Sequence, residues 1–275
     1  MFTVLGASGF IGSHLVAHLR AHHQAVTGLS GHNGDLPDNL GHAICCVGLT
    51  ADFRTRPLDT MEAHVSYLLP ILRECAFDSF TYLSSTRVYG HSVTPWDKAR
   101  EDNPIHVQTQ DPDQLYNISK LAGESVCLSS RRPNVRVARL SNVYGYDSTS
   151  ENFVFALIKA AVRDKLITLH IARASGKDHI SVFNVVKILT QISEKGQQRI
   201  YNVASGHNTQ AGQVVDKIQE ITGCRVVVDK DAPVTSFPMI DTSRVEREFG
   251  FKATDLLDDL EPLVQEFEIK ETATR

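Results

Sequence analysis

The stretch that decides the fold is VLGASGFIGSHL, residues 4–15. It joins an apolar β-type run to a segment with helical spacing through a loop that has glycine at positions 6, 9 and 12. Glycine is needed where a chain turns sharply and where its backbone approaches a pyrophosphate, whose charge the next helix amino terminus favours. The GxxGxxG spacing therefore predicts a dinucleotide-binding loop, although three glycines also serve simple turns and packing.

The predicted cofactor contacts lie in this loop and after the next two strands. They are Gly6, Ser8, Gly9, Phe10, Ile11, Gly12, Ser30, Val47 and Gly48. An acidic residue after the second strand usually binds the ribose of NAD, but Ser30 stands there, and no arginine nearby would bind the 2′-phosphate of NADP. The choice between NAD and NADP therefore stays open.

Six β-type runs alternate with helical patterns along the chain. They are FTVLG, AVTGL, AICCV, SFTYLS, VRVARLS and RIYNVA. Helical spacing covers segments between them such as residues 10–23 and 113–130. This alternation predicts an α/β fold, a Rossmann-type doubly wound parallel sheet with helices on both faces. Between AVTGL and AICCV the chain is too short for a helix and a strand, which predicts a loop and a trimmed sheet.

After LSNVYG the regular alternation breaks. Helices near residues 151–163 and 210–222, a strand LITLH and the closing LLDDLEPLVQEFEI predict a smaller mixed α/β substrate lobe. We predict an NAD(P)-binding domain at 1–145 together with about 179–205, and a substrate-binding lobe at about 146–178 and 206–275.

Composition excludes several classes of function. The chain has 275 residues, a net charge of −4 and 42% hydrophobic residues, which disfavours nucleic acid or an anionic membrane as the main partner. No apolar run is long enough to span a bilayer and no signal-peptide pattern opens the chain, so we expect a cytoplasmic protein. The five cysteines form no CxxC pair and are expected to be reduced, and the 12 histidines show no ligand spacing, so no metal is predicted.

The segment YNISK places Tyr116 and Lys120 four residues apart, and hence on one face of a predicted helix. A phenol with a pKa near 10 exchanges protons poorly at neutral pH, but a neighbouring ammonium and an oxidised nicotinamide favour the phenolate. The pair therefore suits acid–base work. A tyrosine at the core edge beside a solvated lysine would give the same spacing.

Together with the glycine loop, SSTRVYG, YNISK and RLSNVYG resemble the ordered motifs of the extended short-chain dehydrogenase/reductase family. More narrowly, the chain resembles the nucleotide-sugar epimerases, dehydratases and reductases. The resemblance continues through GKDHISVFNVVKIL, YNVASG and DTSRVEREFGF, so it covers nearly the whole chain.

The resemblance implies roles for particular residues. Ser85 would hydrogen-bond the sugar carbonyl or alkoxide, Tyr116 would pass the proton, and Lys120 would hold the nicotinamide ribose and lower the pKa of Tyr116. The implied substrate contacts are Thr86, Arg87, Asn142 and Lys177, with Asn142 near the diphosphate or, alternatively, only forming a turn. Ser84 would line the cofactor or pack.

One departure from the family concerns the residues after Ser85. Sugar dehydratases carry an Asp-Glu pair there, whereas this chain has Thr86 and Arg87, so water elimination is disfavoured. Arg87 suggests an anionic sugar, because arginine pairs well with carboxylate or phosphate. The alternative is that it points outward or braces Glu101. Arg54 and Arg56, which follow AICCV, either reach a phosphate or are surface charges.

These residues favour an NAD(P)-dependent epimerase that acts on a nucleotide-activated sugar. A keto-sugar reductase uses the same three catalytic residues and is the alternative. A non-catalytic dinucleotide sensor is disfavoured because both Tyr116 and Lys120 are present. The resemblance also implies a homodimer, for which the apolar run at residues 61–72 is a candidate surface unless it is buried in the monomer.

Overall fold

Eleven strands are present in the computed structural model, which describes residues 1–31, 36–50, 52–90, 98–146 and 152–274. In chain order they are β1 Phe2–Leu5, β2 Val26–Leu29, β3 His42–Cys45, β4 Ser79–Ser85, β5 Val135–Leu140, β6 Asn142–Tyr144, β7 Leu166–Leu169, β8 Gly176–Ser181, β9 Ile200–Val203, β10 Asn208–Gln210 and β11 Arg225–Val228.

Nine α-helices connect these strands in the described residues. In chain order they are α1 Phe10–Ala21, α2 Pro57–Met61, α3 Leu68–Glu74, α4 Leu115–Ser129, α5 Phe153–Arg163, α6 Val182–Lys195, α7 Ala211–Thr222, α8 Ser243–Phe249 and α9 Leu256–Thr274. A π-helical segment, Glu62–Ser66, lies between α2 and α3, and a 3₁₀ turn, Thr86–Tyr89, follows β4.

The central sheet consists of six parallel strands in the order β2-β1-β3-β4-β5-β9. All six predicted strands are therefore confirmed. Every residue of β1 is buried, because helices cover both faces of the sheet, whereas the edge strand β2 is partly exposed. This explains why the inner strands are rich in apolar residues on both faces.

Helices pack on both faces of this sheet. On one face, α1 and α6 contribute Leu15, Leu19 and Val185 to an apolar cluster with β1 and β9. On the other face, α3 and α4 contribute Ile71 and Cys127 to a second cluster. The fold is thus the predicted Rossmann-type α/β fold.

The short connection from β2 to β3 contains no helix or strand in its described residues, so β2 is the edge of the sheet. Residues 32–35 of the predicted loop lie outside the described residues. The predicted trimmed sheet is consistent with this arrangement, because the chain crosses directly from the edge strand to a strand on the other side of β1.

A separate apolar cluster is formed by α5, α7 and α9 with strand β7. α5 begins after Asn152, whose side-chain oxygen accepts a hydrogen bond from the Phe155 N–H at 3.0 Å. The predicted helices near 151–163 and 210–222 and the strand LITLH are present here, although residues 147–151 lie outside the described part. The predicted boundaries between two lobes stay a prediction.

The sequence prediction missed two small sheets. One has the order β10-β8-β6 and the other pairs β11 with β7. β6 follows β5 after a single residue and runs parallel to β8, with Asn142 opposite His179. This sheet brings Asn142 and Lys177 towards the carboxyl ends of β4 and β5, where open parallel sheets bind ligands.

Candidate active site

Gly6 and Gly12 are required by the packing of the glycine loop itself. Gly6 has φ +81°, and a Cβ there would lie 3.0 Å from the carbonyl carbon of Cys46 and the nitrogen of Val47. A Cβ on Gly12 would lie 2.1 Å from the Gly6 oxygen. At these two positions glycine is needed for the turn and for close packing, as the predicted alternative states. The absence of a side chain at Gly6 lets the loop pack against the end of β3.

A cavity of about 350 Å³ opens above this loop. Five predicted cofactor residues line it, namely Gly6, Ser8, Gly9, Val47 and Gly48. Gly9 caps the amino terminus of α1 without a side-chain hydrogen bond, and the first turn of that helix has no acidic residue. The exposed dipole end and the glycine cradle fit the pyrophosphate of a dinucleotide.

The remaining predicted cofactor residues do not line this cavity. Phe10, Ile11 and Gly12 form the first turn of α1, and Ser30 stands next to Gly31, which does line it. Arg56 also lines the cavity and pairs with Asp59 at 2.7 Å. Because the positive Arg56 and the negative Asp59 both line this rim, its charge does not discriminate between NAD and NADP.

Gly9 offers a test of the cradle, because a Cβ there would lie 3.4 Å from the Gly6 oxygen, an ordinary contact. Gly9→Ala is therefore expected to fold, with a Tm change below about 4 °C. Its methyl group would intrude on the bound dinucleotide and weaken NAD(P) binding by about 1–3 kcal/mol. Titration calorimetry with NAD and NADPH measures the loss.

Gly176→Ala is the matched control, since its Cβ would meet only Asn208 and Thr209, at 3.6 Å and 3.9 Å. It is expected to leave NAD(P) affinity unchanged. Equal affinities for Gly9→Ala and the wild type would contradict the cradle.

Ser85 and Tyr116 meet at the carboxyl end of β4. The Ser85 hydroxyl accepts a hydrogen bond from the Arg87 N–H at 3.2 Å. Burial raises the pKa of Tyr116, whereas the nearby Ser85 hydroxyl and the charge of Arg87 lower it. The serine and the tyrosine that the resemblance implied thus lie beside each other.

Lys120 lies one helical turn after Tyr116 and is buried. Its Nζ donates to the Leu83 carbonyl oxygen at 2.9 Å and lies 5.9 Å from the centroid of the Tyr116 ring. Burial lowers the pKa of Lys120 to about 8, although the charge of Glu124 acts in the opposite direction. A Cβ on Gly48 would lie 3.2 Å from this Nζ, so the lysine reaches the wall of the cofactor cavity. Its predicted effect on Tyr116 stays a prediction.

Arg87 points towards Tyr116. Its Cζ lies 5.0 Å from the centroid of the Phe53 ring and 5.3 Å from that of Tyr116. The alternative in which Arg87 braces Glu101 is wrong, because that carboxylate accepts from the Asn202 N–H at 3.0 Å and pairs with Arg244 at 3.7 Å. Arg87 is therefore a cation of the site.

A second cavity, of about 330 Å³, contains all the predicted substrate residues. Ser85, Thr86, Arg87, Asn142 and Lys177 line it. Arg54 lines it too, so the two loop arginines divide between the cavities, Arg54 here and Arg56 at the cofactor side. We call it the substrate cavity.

Sequence reasoning missed His64, which is fully buried in the π-helical segment. Its Nε2 accepts from the Leu49 N–H at 3.1 Å, so the neutral ring carries its proton on Nδ1, 2.8 Å from the Ser119 hydroxyl. Burial and the charge of Lys120 lower the pKa of His64 to about 3. His64 therefore joins the segment after β3 to helix α4. In the sequence, only the presence of a single histidine in the apolar run at 61–72 could have pointed to this role.

A buried ion pair beneath the site was also missed. Arg139 donates to both carboxylate oxygens of Glu124, at 2.9 Å and 2.7 Å, and to the Tyr89 hydroxyl at 2.7 Å. Ser84 donates to the same carboxylate. Ser84 therefore packs rather than binding cofactor, and the network fixes the strand that ends at Ser85.

A glycine cradle lies beside Ser85, Tyr116 and Lys120 on a Rossmann-type sheet, as the family resemblance of the sequence implies. The chain belongs to the NAD-dependent epimerase/dehydratase family, whose model matches residues 2–204.

The chain is similar to one relative and two solved structures in particular. It is 29% identical over 257 residues to the GDP-6-deoxy-D-mannose reductase of Pseudomonas aeruginosa, which covers 83% of this chain and 82% of the reductase. The structure of MoeE5 with UDP-glucose and NAD superposes with a TM-score of 0.81 at 22% identity, covering 98% of this chain and 99% of MoeE5. That of RMD from P. aeruginosa with NADPH gives 0.81 at 23% identity, covering 97% and 98%.

No helix among the described residues is long and apolar enough to cross a membrane. The same residues contain no cluster of three or more histidine, cysteine, aspartate or glutamate side chains placed to hold a metal ion. All five cysteines are unpaired thiols.

Proposed function

We propose that this protein is an NAD(P)-dependent epimerase that acts on a nucleotide-activated sugar. The observation that carries the proposal is the position of Tyr116 relative to the two cavities. Tyr116 lies beside Ser85, which lines the substrate cavity, and on the same helix as Lys120, whose Nζ would lie 3.2 Å from a Cβ on Gly48 of the cofactor cavity. Tyr116 is therefore adjacent to residues of both cavities, as a proton-transfer group between a sugar and a nicotinamide would need to be.

The residues of this chain would handle the proton. Tyr116 Oη would take the proton from a sugar hydroxyl and return it, and the Ser85 hydroxyl would hold the sugar oxygen in line. The charge of Arg87 lowers the pKa of Tyr116 against the effect of burial, which helps the phenolate form. When bound, NAD(P) would supply the hydride acceptor and donor.

Asp178 is the carboxylate that lines the substrate cavity among the described residues. Its oxygens accept hydrogen bonds from the Ser205 and Gly206 N–H groups at 2.9 Å and 2.7 Å, so it anchors the loop after β9. The positions that would carry the dehydratase acids are Thr86 and Arg87, which supports an epimerase or a reductase.

A keto-sugar reductase is the second candidate. It is favoured by the similarity to a GDP-6-deoxy-D-mannose reductase, which extends over most of both chains. A reductase must exchange its cofactor at each turnover, whereas an epimerase takes the hydride back and keeps its cofactor.

Cofactor retention separates the two candidates. The purified protein is denatured, and any released dinucleotide is identified and quantified by mass spectrometry. We expect NAD near one equivalent, as an epimerase requires. A protein that is purified empty and then binds NADPH would be a reductase. A protein that binds neither dinucleotide would contradict an oxidoreductase of either kind.

Assembly and location stay proposals. We propose a homodimer in the cytoplasm, as the family resemblance suggests. The apolar run at residues 61–72 gives no support to a dimer, because Ala63, Leu68 and Ile71 are already buried in the monomer. Light scattering on the purified protein measures its mass in solution.

A further inference from the structure

Two cations face the substrate cavity with little compensation. The Arg87 guanidinium lies against the rings of Phe53 and Tyr116, and its Nη2 is 3.4 Å from a backbone oxygen of Asp113. Lys177 Nζ lies 4.7 Å from the centroid of the Phe237 ring. Among the described residues, neither cation has a carboxylate within ion-pair distance.

The other charges around the cavity are already paired. Arg54 forms an ion pair with Asp113, so the charge of that carboxylate, which also acts on Arg87, is shared between the two arginines. Asp178 is held by two backbone N–H groups. Arg87 and Lys177 are close enough that the charge of Arg87 helps burial to lower the pKa of Lys177. Two like charges on the wall of one cavity repel each other, and an anion between them would remove that cost.

The position of Arg87 shows which part of a substrate it would contact. Its backbone N–H binds the Ser85 hydroxyl, and its guanidinium lies over the Tyr116 ring. Any sugar carbon that reacts must lie within hydrogen-bond reach of these two hydroxyls. Arg87 therefore lies beside the reacting sugar ring, and the matching anion belongs to the sugar.

We propose that Arg87 and Lys177 bind a carboxylate carried by the sugar, so that the preferred substrate is a nucleotide-activated uronate. This inference rests on the proposed function, since it assumes a nucleotide sugar in the substrate cavity. A planar guanidinium binds a carboxylate through two parallel hydrogen bonds, and the ammonium of Lys177 adds a point charge.

Matched pairs of ligands test the proposal. The first pair is UDP-glucuronate and UDP-glucose, and the second is GDP-mannuronate and GDP-mannose. Within each pair the uronate has a carboxylate where the neutral sugar has a hydroxymethyl group. Their affinities are measured by titration calorimetry on the NAD-loaded wild type, on Arg87→Gln and on Lys177→Met. Arg87→Lys keeps the charge without the planar fork, and Arg163→Gln removes a surface arginine that pairs with Glu271 as the control.

In the pair that binds, we expect the wild type to bind the uronate about 10-fold or more tightly than the neutral sugar. The reason is that a hydrogen bond to a charged group is more stabilising than one between neutral groups, by a free energy that corresponds to about 10-fold in affinity. Arg87→Gln should weaken uronate binding about 10- to 100-fold and neutral-sugar binding by less than about 3-fold. Lys177→Met should act in the same direction, Arg87→Lys should keep part of the preference, and Arg163→Gln should keep all of it.

Other outcomes would overturn the inference. A wild type without preference, or an Arg87→Gln variant that keeps the preference, excludes a carboxylate site. Equal losses on both members of a pair would assign Arg87 to the nucleotide phosphates. Failure of the NAD-loaded wild type to bind either pair would instead reject the proposed nucleotide-sugar function, and the inference with it.

Discussion

Tyr116→Phe is expected to reduce kcat by about 10³-fold, because positioned acid–base groups contribute about 10²- to 10⁴-fold. The change removes the hydroxyl beside Ser85, on a ring whose centroid lies 5.3 Å from the Cζ of Arg87. The ring itself stays, so its contacts with Phe53 and His64 are kept. The measurement is the turnover number of the NAD(P)-loaded variant on the sugar that the binding experiments identify.

Two controls make this result specific. NAD(P) affinity of Tyr116→Phe is expected to remain within about 3-fold of the wild type, because the glycine cradle does not involve the phenol. Tyr146→Phe removes a hydroxyl from a ring that packs on Phe155 and Phe267, and it should leave kcat unchanged. A Tyr116→Phe variant with more than a tenth of wild-type turnover would require another proton-transfer group.

Arg139→Met is expected to lower the free energy of unfolding by about 3–5 kcal/mol, because it leaves the Glu124 carboxylate buried without its partner. Both side chains are almost inaccessible, at 5% and 4% exposed. The guanidinium also donates to the Tyr89 hydroxyl and the Glu101 carbonyl oxygen, and these acceptors would lose a donor. Urea denaturation followed by circular dichroism measures the change.

The double variant Glu124→Leu/Arg139→Met identifies the cause of that loss. Replacing both members of a buried ion pair by apolar side chains is often neutral, so we expect the double variant to recover a large part of the stability. A double variant no more stable than Arg139→Met would show that packing, and not the unpaired charge, is responsible. A single-variant loss below about 1 kcal/mol would show that the pair contributes little.

This ion pair also links stability to the site. Glu124 follows Lys120 by one turn of α4, and Ser84, which donates to Glu124, precedes Ser85. Helix and strand are therefore joined directly behind Ser85 and Lys120, two of the residues that we propose to be catalytic. We infer that the network keeps Ser85 and Lys120 at fixed positions between the two cavities.

Local sequence patterns were sufficient for the frame of the molecule. The glycine loop, the six strands and α1 follow from hydrophobic periodicity and from the special backbone of glycine, which act between near neighbours in the chain. Ser85, Tyr116 and Lys120 were found through ordered motifs, and the carboxyl ends of parallel strands bring such motifs to one edge. The sequence also predicted which residues would line the substrate cavity.

Tertiary structure alone decided the partners of the charged and polar side chains. From the sequence, Arg87 had an equal claim to Glu101, but Glu101 is held by Asn202, 101 positions further along, and by Arg244. The same applies to His64, whose contacts with Leu49 and Ser119 come from distant segments. Hydrophobic periodicity specifies which face of an element is buried, but not which side chain of another element meets it. Hydrogen bonds and ion pairs are directional and short-ranged, so they are fixed only when the packed elements bring donor and acceptor together.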